Sequence, residues 1–170
     1  MTGSAAAEIP FSLRPVRGED DAFLRDVYAS TRLGELAPLG WSREQVERFL
    51  GMQHEAQHRD YWRNYDTGRF QVVVVDGADA GRFYVERRTG ELRIVDIALL
   101  PAFRARGLGS ALIGQLFEEA DVAQLPVRIH VEHANPAQRL YLRLGFAFVG
   151  EPGGIYRLME RPPRGAARVA

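Results

Sequence analysis

The chain has 170 residues, 46% of them hydrophobic and 26% charged, enough apolar sequence for one globular domain with a core of its own. Lys plus Arg (22) equals Asp plus Glu (22), so no global field draws it to nucleic acid or to an anionic membrane, and neither is expected as a partner. With no cysteine there is no disulfide, no thiolate metal ligand and no cysteine nucleophile.

The start, "MTGSAAAEIP", lacks a basic region followed by a long apolar run, and no later apolar stretch reaches spanning length, so a soluble cytoplasmic protein is expected. Residues 1–10 and 161–170 are rich in small residues, Pro and Arg without a period and read as flexible tails around a domain at 11–160. "FSLRPV" (11–16) alternates as a strand does, and "EDDAFLRDVYASTR" (19–32) begins with acids and then repeats apolar residues at helical spacing.

Ser42 has the chemistry of an N-cap, and the segment after it runs without proline to Tyr65 as a long helix with Glu44 in its first turn. That helix contains "HEAQH" (54–58), in which His54, Glu55 and His58 fit the H-E-x-x-H zinc pattern. Projection at about 100° per residue from Val46 puts Phe49, Leu50, Met52, Ala56 and Tyr61 on an arc centred near about 330°. His54, near about 80°, and His58, near about 120°, fall on the flank turning to solvent. No His or Cys follows closely as a third ligand, so no metal site is expected and a zinc hydrolase is the weaker alternative. Gln53 and Gln57 project into the apolar arc. They either bond to neighbouring backbone or line a polar pocket.

"RFQVVVVDG" (69–77) is β-branched and ends at Asp-Gly, and 80–100 holds two strand-like runs divided at Thr89-Gly90, which predicts an antiparallel meander. "SALIGQLFEEADVA" (110–123) carries the helical stripe Leu112, Ile113, Leu116, Phe117 and Ala120. "PVRIHVE" is a strand. "NPAQRLYLRLG" (135–145) has Asn at the N-cap position, Pro at the first helical position and Gly beyond the end, and "FAFVGE" and "IYRLME" close the chain as strands around Pro152-Gly153-Gly154.

The most specific signal is "LLPAFRARGLGSALI". An aliphatic strand ends at Pro101, a basic loop with Arg104 and Arg106 follows, and Gly107 and Gly109 lead into a helix. Glycines allow close backbone approach, and the first free N–H groups of a helix form an anion site suited to pyrophosphate. A tight turn is the other reading of the same glycines. Gly107-x-Gly109 lacks the third glycine of a dinucleotide fingerprint, and no G-K-[ST] is present for a P-loop.

Together with "NPAQRLYLRLGF", this loop resembles the two signatures of the Gcn5-related N-acetyltransferase (GNAT) superfamily. Arg104, Gly107 and Gly109 match the coenzyme A signature [RQ]-x-x-G-x-[GA]. Asn135, Tyr141, Gly145 and Phe146 match the second, with the alanine one place early at Ala137. Ala105 departs from the family, which often has glycine there.

The resemblance implies an α/β (α+β) GNAT fold, with a central, mixed but mostly antiparallel sheet and about four helices. It implies acetyl transfer from acetyl-CoA, with no metal, to a primary amine of a small molecule or peptide by direct attack in a ternary complex. A catalytically silent acyl-CoA-binding domain is the alternative, and a homodimer is left open. The resemblance further implies that Ile97, Ala98, Leu99 and Leu100 flank the thioester, with the N–H of Leu99 or a neighbour on its carbonyl. Arg104, Ala105, Arg106, Gly107, Leu108, Gly109 and Ser110 then hold pyrophosphate. Asn135 contacts pantetheine, or simply caps its helix. Tyr141 is the general acid, or a core tyrosine. The base is expected first at His130, then Glu132, then Asp96, with a structural salt bridge as the other reading of either acid. Arg32, Glu35, Trp41, Gln53, Gln57 and Tyr61 are the expected substrate contacts.

Overall fold

The computed structural model describes residues 10–150 and 153–165. Of the expected tails, 1–9 and 166–170 lie outside the described residues, as does part of the turn at Pro152. Seven strands follow the order β1-β2-β3-β4-β5-β7-β6. They are β1 (Ser12–Pro15), β2 (Gln71–Val75), β3 (Ala78–Arg87), β4 (Leu92–Leu99), β5 (Val127–Glu132), β6 (Ala147–Val149) and β7 (Tyr156–Arg161). β1, β2 and β3 pair antiparallel in turn, β4 and β5 pair parallel, and β7 pairs antiparallel with both β5 and β6. The helices are α1 (Asp21–Leu36), α2 (Arg43–Asn64), α3 (Leu108–Ala123) and α4 (Gln138–Arg143). No helix among the described residues is long and apolar enough to cross a membrane.

Where one domain over 11–160 is expected, the chain sorts into two compact units whose boundaries cut β3 and β4. The first takes the chain as far as Tyr84 together with Asp96–Arg106. Its core is Leu24, Val27 and Tyr28 of α1, Leu50 of α2, Phe70, and the β2 valines Val72, Val73 and Val75. β2 turns into β3 at Asp76 (φ 50°) and Gly77 (φ 77°), the positive pair that a tight hairpin matching strand twist requires. Ser42 caps α2 by accepting from the N–H of Gln45, whose side chain accepts from the Ser42 N–H in return.

The second unit takes Val85–Val95 and the chain from Gly107 on. Leu108, Leu112, Ile113, Leu116 and Ala120 of α3 are buried, as are Val127, Ile129 and Val131 on the inward register of β5. The expected tail at 161 begins too early. Arg161 ends β7, is 8% exposed and pairs with Asp121, and the N–H of Arg164 donates to Asp121 Oδ1 at 2.8 Å.

Differences from the sequence reading have local causes. α1 runs on to Leu36 because "TRLGEL" contains no strong breaker, so Arg32 and Glu35 pair across one turn of a helix instead of lying in a connection. α4 is shorter than 135–145: Asn135 Oδ1 accepts from the Ala137 N–H at 2.9 Å, a turn at Pro136 follows, and the helix starts at Gln138. α2 is rotated from its projected orientation. Its inward line is Leu50, His54, Gln57 and Tyr61, while Met52, Gln53 and Ala56 are exposed. The buried stripe includes a histidine and a glutamine that a purely apolar arc leaves out.

Gly81 on β3 fixes how closely the end of β4 approaches. A Cβ at this position would lie 2.2 Å from the Ala98 carbonyl oxygen and 2.9 Å from Leu99 Cα. Both obstacles are backbone, so Gly81→Ala is expected to lower stability by about 1–3 kcal/mol, as overpacking does. A urea midpoint equal to wild type would show that β4 can move aside.

Candidate active site

In the first unit, α2 lies over a buried polar cluster centred on Arg82 of β3. Arg82 is 3% exposed and donates to Asp96 Oδ2 at 2.7 Å and to Gln57 Oε1 at 2.9 Å, while Tyr61 Oη donates to the same Asp96 oxygen at 2.9 Å. Burial is the largest influence and works against the guanidinium charge, but Asp96, Tyr84 and Tyr61 together outweigh it and raise the Arg82 pKa. Burial, then the Asp96 charge, push the Tyr61 phenol well above its ordinary value. Asp96, expected as the third candidate base, is therefore committed to a buried ion pair. Gln57 and Tyr61, expected as substrate contacts, complete that cluster from α2. The sequence reading missed Arg82, although an arginine inside "GRFYVE", a strand buried on both faces, is a visible signal.

Gln53 is exposed and makes no part of this cluster. Trp41 is half-exposed and meets the Phe49 ring edge-on at 5.3 Å. Arg32 and Glu35 form an ion pair at 3.1 Å on the last turns of α1.

β4 ends in Ile97, Ala98 and Leu99, and the N–H of Leu100 donates to the Ala80 carbonyl at 2.8 Å. The loop beyond is exposed. Arg104 Nε donates to the Leu99 carbonyl at 2.8 Å and its Nη2 to Ser30 Oγ at 2.9 Å, so this guanidinium braces the loop. Arg106 lies over the Phe103 ring at 5.9 Å. Ala105 has φ 56°, in the left-handed region where glycine carries no penalty, which accounts for the family's frequent glycine at this place.

Gly107 (φ 80°) is the N-cap of α3, with no side chain capping the helix and no acid in its first turn. The first intrahelical bond runs from the Ala111 N–H to the Gly107 carbonyl. The N–H groups of Leu108, Gly109 and Ser110 precede it and have no acceptor within the helix, at its positive dipole end. Such a terminus is built for an anion.

In the second unit, β5 presents Arg128, His130 and Glu132 on one face. Arg93 Nη1 lies 2.6 Å from His130 Nδ1, and since a guanidinium can only donate, Nδ1 is the acceptor and the ring proton sits on Nε2. Burial, then the Arg93 charge, hold the His130 pKa below its ordinary value. The buried Glu91 anchors this face, bonding Arg93 at 2.7 Å and Arg128 at 2.9 Å. Burial opposes its ionisation, but hydrogen bonds from Arg128 and Arg93 outweigh that and lower its pKa. Tyr156 Oη reaches Glu132 Oε1 at 3.4 Å. Tyr141 of α4 is 4% exposed and packs edge-on to Phe146 at 5.8 Å. The Asn135 Oδ1 accepts from the Ala137 N–H in the turn that opens α4.

Known proteins resemble the chain in sequence and in fold. The sequence profile of the Acetyltransferase (GNAT) domain matches residues 66–147, a stretch that includes β2–β5, the 104–110 loop, α3 and Tyr141. A Bacillus subtilis (strain 168) protein, provisionally named a ribosomal-protein bS18 alanine N-acetyltransferase, is 32% identical over 89 residues. That match takes in 51% of this chain, and the chain spans 56% of the relative's length. The crystal structure of PaiA N-acetyltransferase from Thermoplasma acidophilum in complex with coenzyme A superposes with a TM-score of 0.66 at 18% identity, covering 90% of this chain and 99% of that one. The ribosomal-protein S18 alanine N-acetyltransferase of Escherichia coli gives 0.59 at 18% identity, covering 95% and 99%. At such identities the two structures establish the fold alone. Residues 66–147 thus match the Acetyltransferase (GNAT) domain, and the chain has the fold of the GNAT acetyltransferase structures.

Proposed function

We propose that the protein is an acetyl-CoA-dependent N-acetyltransferase acting in the cytoplasm on a primary amine of a small molecule or peptide. The observation that carries this reading is the uncapped, acid-free N-terminus of α3 behind the left-handed Gly107, in a segment that matches the GNAT domain. The N–H groups of Leu108, Gly109 and Ser110 would take the pyrophosphate, with Arg104 bracing the loop from Leu99 and Ser30. The Leu100 N–H is committed to Ala80, which leaves Leu99 as the donor to the thioester carbonyl.

In the transfer, the amine nitrogen attacks the thioester carbon, the C–S bond breaks, the nitrogen loses a proton to a base and the departing sulfur gains one. With no cysteine in the chain, an acyl-cysteine relay has no nucleophile. Tyr141 would protonate the sulfur, since a phenol with an ordinary pKa near about 10 holds its proton at neutral pH. The tautomer of His130 suits a donor better than a base, because its one lone-pair nitrogen accepts from Arg93. We therefore assign the proton-accepting role to Glu132, on the same face of β5, and give His130 a hydrogen bond from Nε2 to substrate. Arg82 and Asp96 act as a structural pair.

Excess acetyl-CoA is expected to raise the melting temperature by about 5–10 °C at a hundredfold excess over its Kd. Gly107→Val should remove most of that rise, because a β-branched residue disfavours the left-handed backbone that opens the anion site. No shift with any acyl-CoA would sink the enzyme and the silent binder together, whereas a shift with no thiol release across an amine panel would leave only the binder.

A further inference from the structure

α2 carries a second line of side chains that acetyl transfer does not use. His54 and His58 stand one helical turn apart with ring centroids 5.9 Å apart, and the Asp21 carboxylate of α1 comes to them from the side. Asp21 Oδ1 lies 3.4 Å from His54 Nε2, and one coordinating atom from each of the three residues falls within 4.8 Å of the others. The sequence reading set the "HEAQH" pattern aside because both histidines projected toward solvent and no third ligand followed. In the structure α1 covers His54, leaving it 1% exposed, and brings Asp21 from a distant part of the sequence beside the two histidines.

We propose that Asp21, His54 and His58 bind one divalent transition-metal ion, zinc for preference, as a clamp between α1 and α2. Two imidazoles and a carboxylate are a ligand set zinc accepts, and its bonds of about 2.0–2.1 Å set tetrahedral ligand atoms about 3.3 Å apart. The Asp21–His54 separation already meets that spacing. The exposed Asp21 side chain has room to rotate toward His58.

Two further features support the site. The His58 ring is held flat on Trp62 at 3.9 Å and 15°, and Tyr28 packs against His54 at 5.9 Å, so both imidazoles are oriented in advance. A hollow of about 160 Å³ lined by Asp21, Glu55, His58 and Arg59 opens beside them, giving an ion an entrance and space for a water as fourth ligand. Arg25 lies 3.7 Å from Asp21 and 3.9 Å from Glu55, so it keeps a carboxylate partner when the metal takes Asp21. No hydrolysis is assigned to this ion.

The test uses full-length protein freed of metal with a chelator and titrated with Zn2+ while melting temperature and bound metal are read. One equivalent is expected to bind and to raise the melting temperature by about 5–10 °C at a hundredfold excess over Kd. His58→Ala and Asp21→Ala should each abolish the rise while melting like the wild type without metal. Co2+ should give wild-type protein the strong visible absorption of a four-coordinate site. No saturable zinc binding, absence of the cobalt spectrum, or zinc shifts that persist in both variants would each overturn the clamp. A variant that failed to fold would leave the wild-type cobalt spectrum to decide. The acetyl-CoA shift, measured on metal-free protein, reports the acetyltransferase reading separately.

Discussion

Asp96→Ala is expected to destabilise the protein by about 3–5 kcal/mol, the range found when one partner of a buried ion pair is removed. Arg82 is 3% exposed and a guanidinium does not shed its proton, so the substitution leaves a buried cation with charge-neutral partners alone, Gln57 and the Tyr84 ring. Tyr61 Oη loses its acceptor in the same step. The loss would appear as a lower urea midpoint. Asp96→Asn keeps the shape and an acceptor oxygen and should cost less. Replacing the pair together, Arg82→Met with Asp96→Leu, should recover much of the stability, because no charge is then left buried. If Asp96→Ala unfolded at the wild-type midpoint, Arg82 would have to be reaching water, and the cluster would be open enough for Asp96 to return as a candidate base.

Most of the fold was legible from local pattern. The N-cap at Ser42, the Asp76-Gly77 turn and the stripe on α3 each depend on residues close in sequence, and each lies where pattern places it. The glycine-led start of α3 was equally visible, because it is a local feature. What pattern could not supply is pairing across the sheet and between helices. Arg93 meets His130 because β4 and β5 are parallel neighbours with Arg93 beside Arg128, a register no short segment encodes. That contact is the reason we propose His130 as a hydrogen-bond donor in place of the base. Asp21 meets His54 for a similar reason, through the packing of α1 on α2. The projection of α2 failed where it counted only apolar residues, since its inward line runs Leu50, His54, Gln57, Tyr61 and its polar members meet Asp21, Arg82 and Asp96.

Tyr141→Phe is expected to reduce kcat by about 10²–10⁴, the span usually lost with a positioned general acid, while the acetyl-CoA melting shift stays close to wild type. Phenylalanine keeps the ring that packs edge-on to Phe146, so the core of the second unit should tolerate the change and only the proton donor is removed. The pH profile separates this residue from the groups on β5. A hydroxyl donor supplies no carboxylate or imidazole to the acidic limb, so its loss should lower the profile without moving that limb. Glu132→Gln removes the assigned base and should depress activity most at low pH, where the amine itself holds its proton. For His130, burial and Arg93 both disfavour the imidazolium, so the ring stays neutral above its lowered pKa and titrates only on further acidification. His130→Gln, whose amide can accept from Arg93 and still donate, should therefore leave the acidic limb in place and lower kcat only modestly. Full turnover in Tyr141→Phe would return that tyrosine to the hydrophobic core, and loss of the acidic limb in His130→Gln would restore the imidazole as the base.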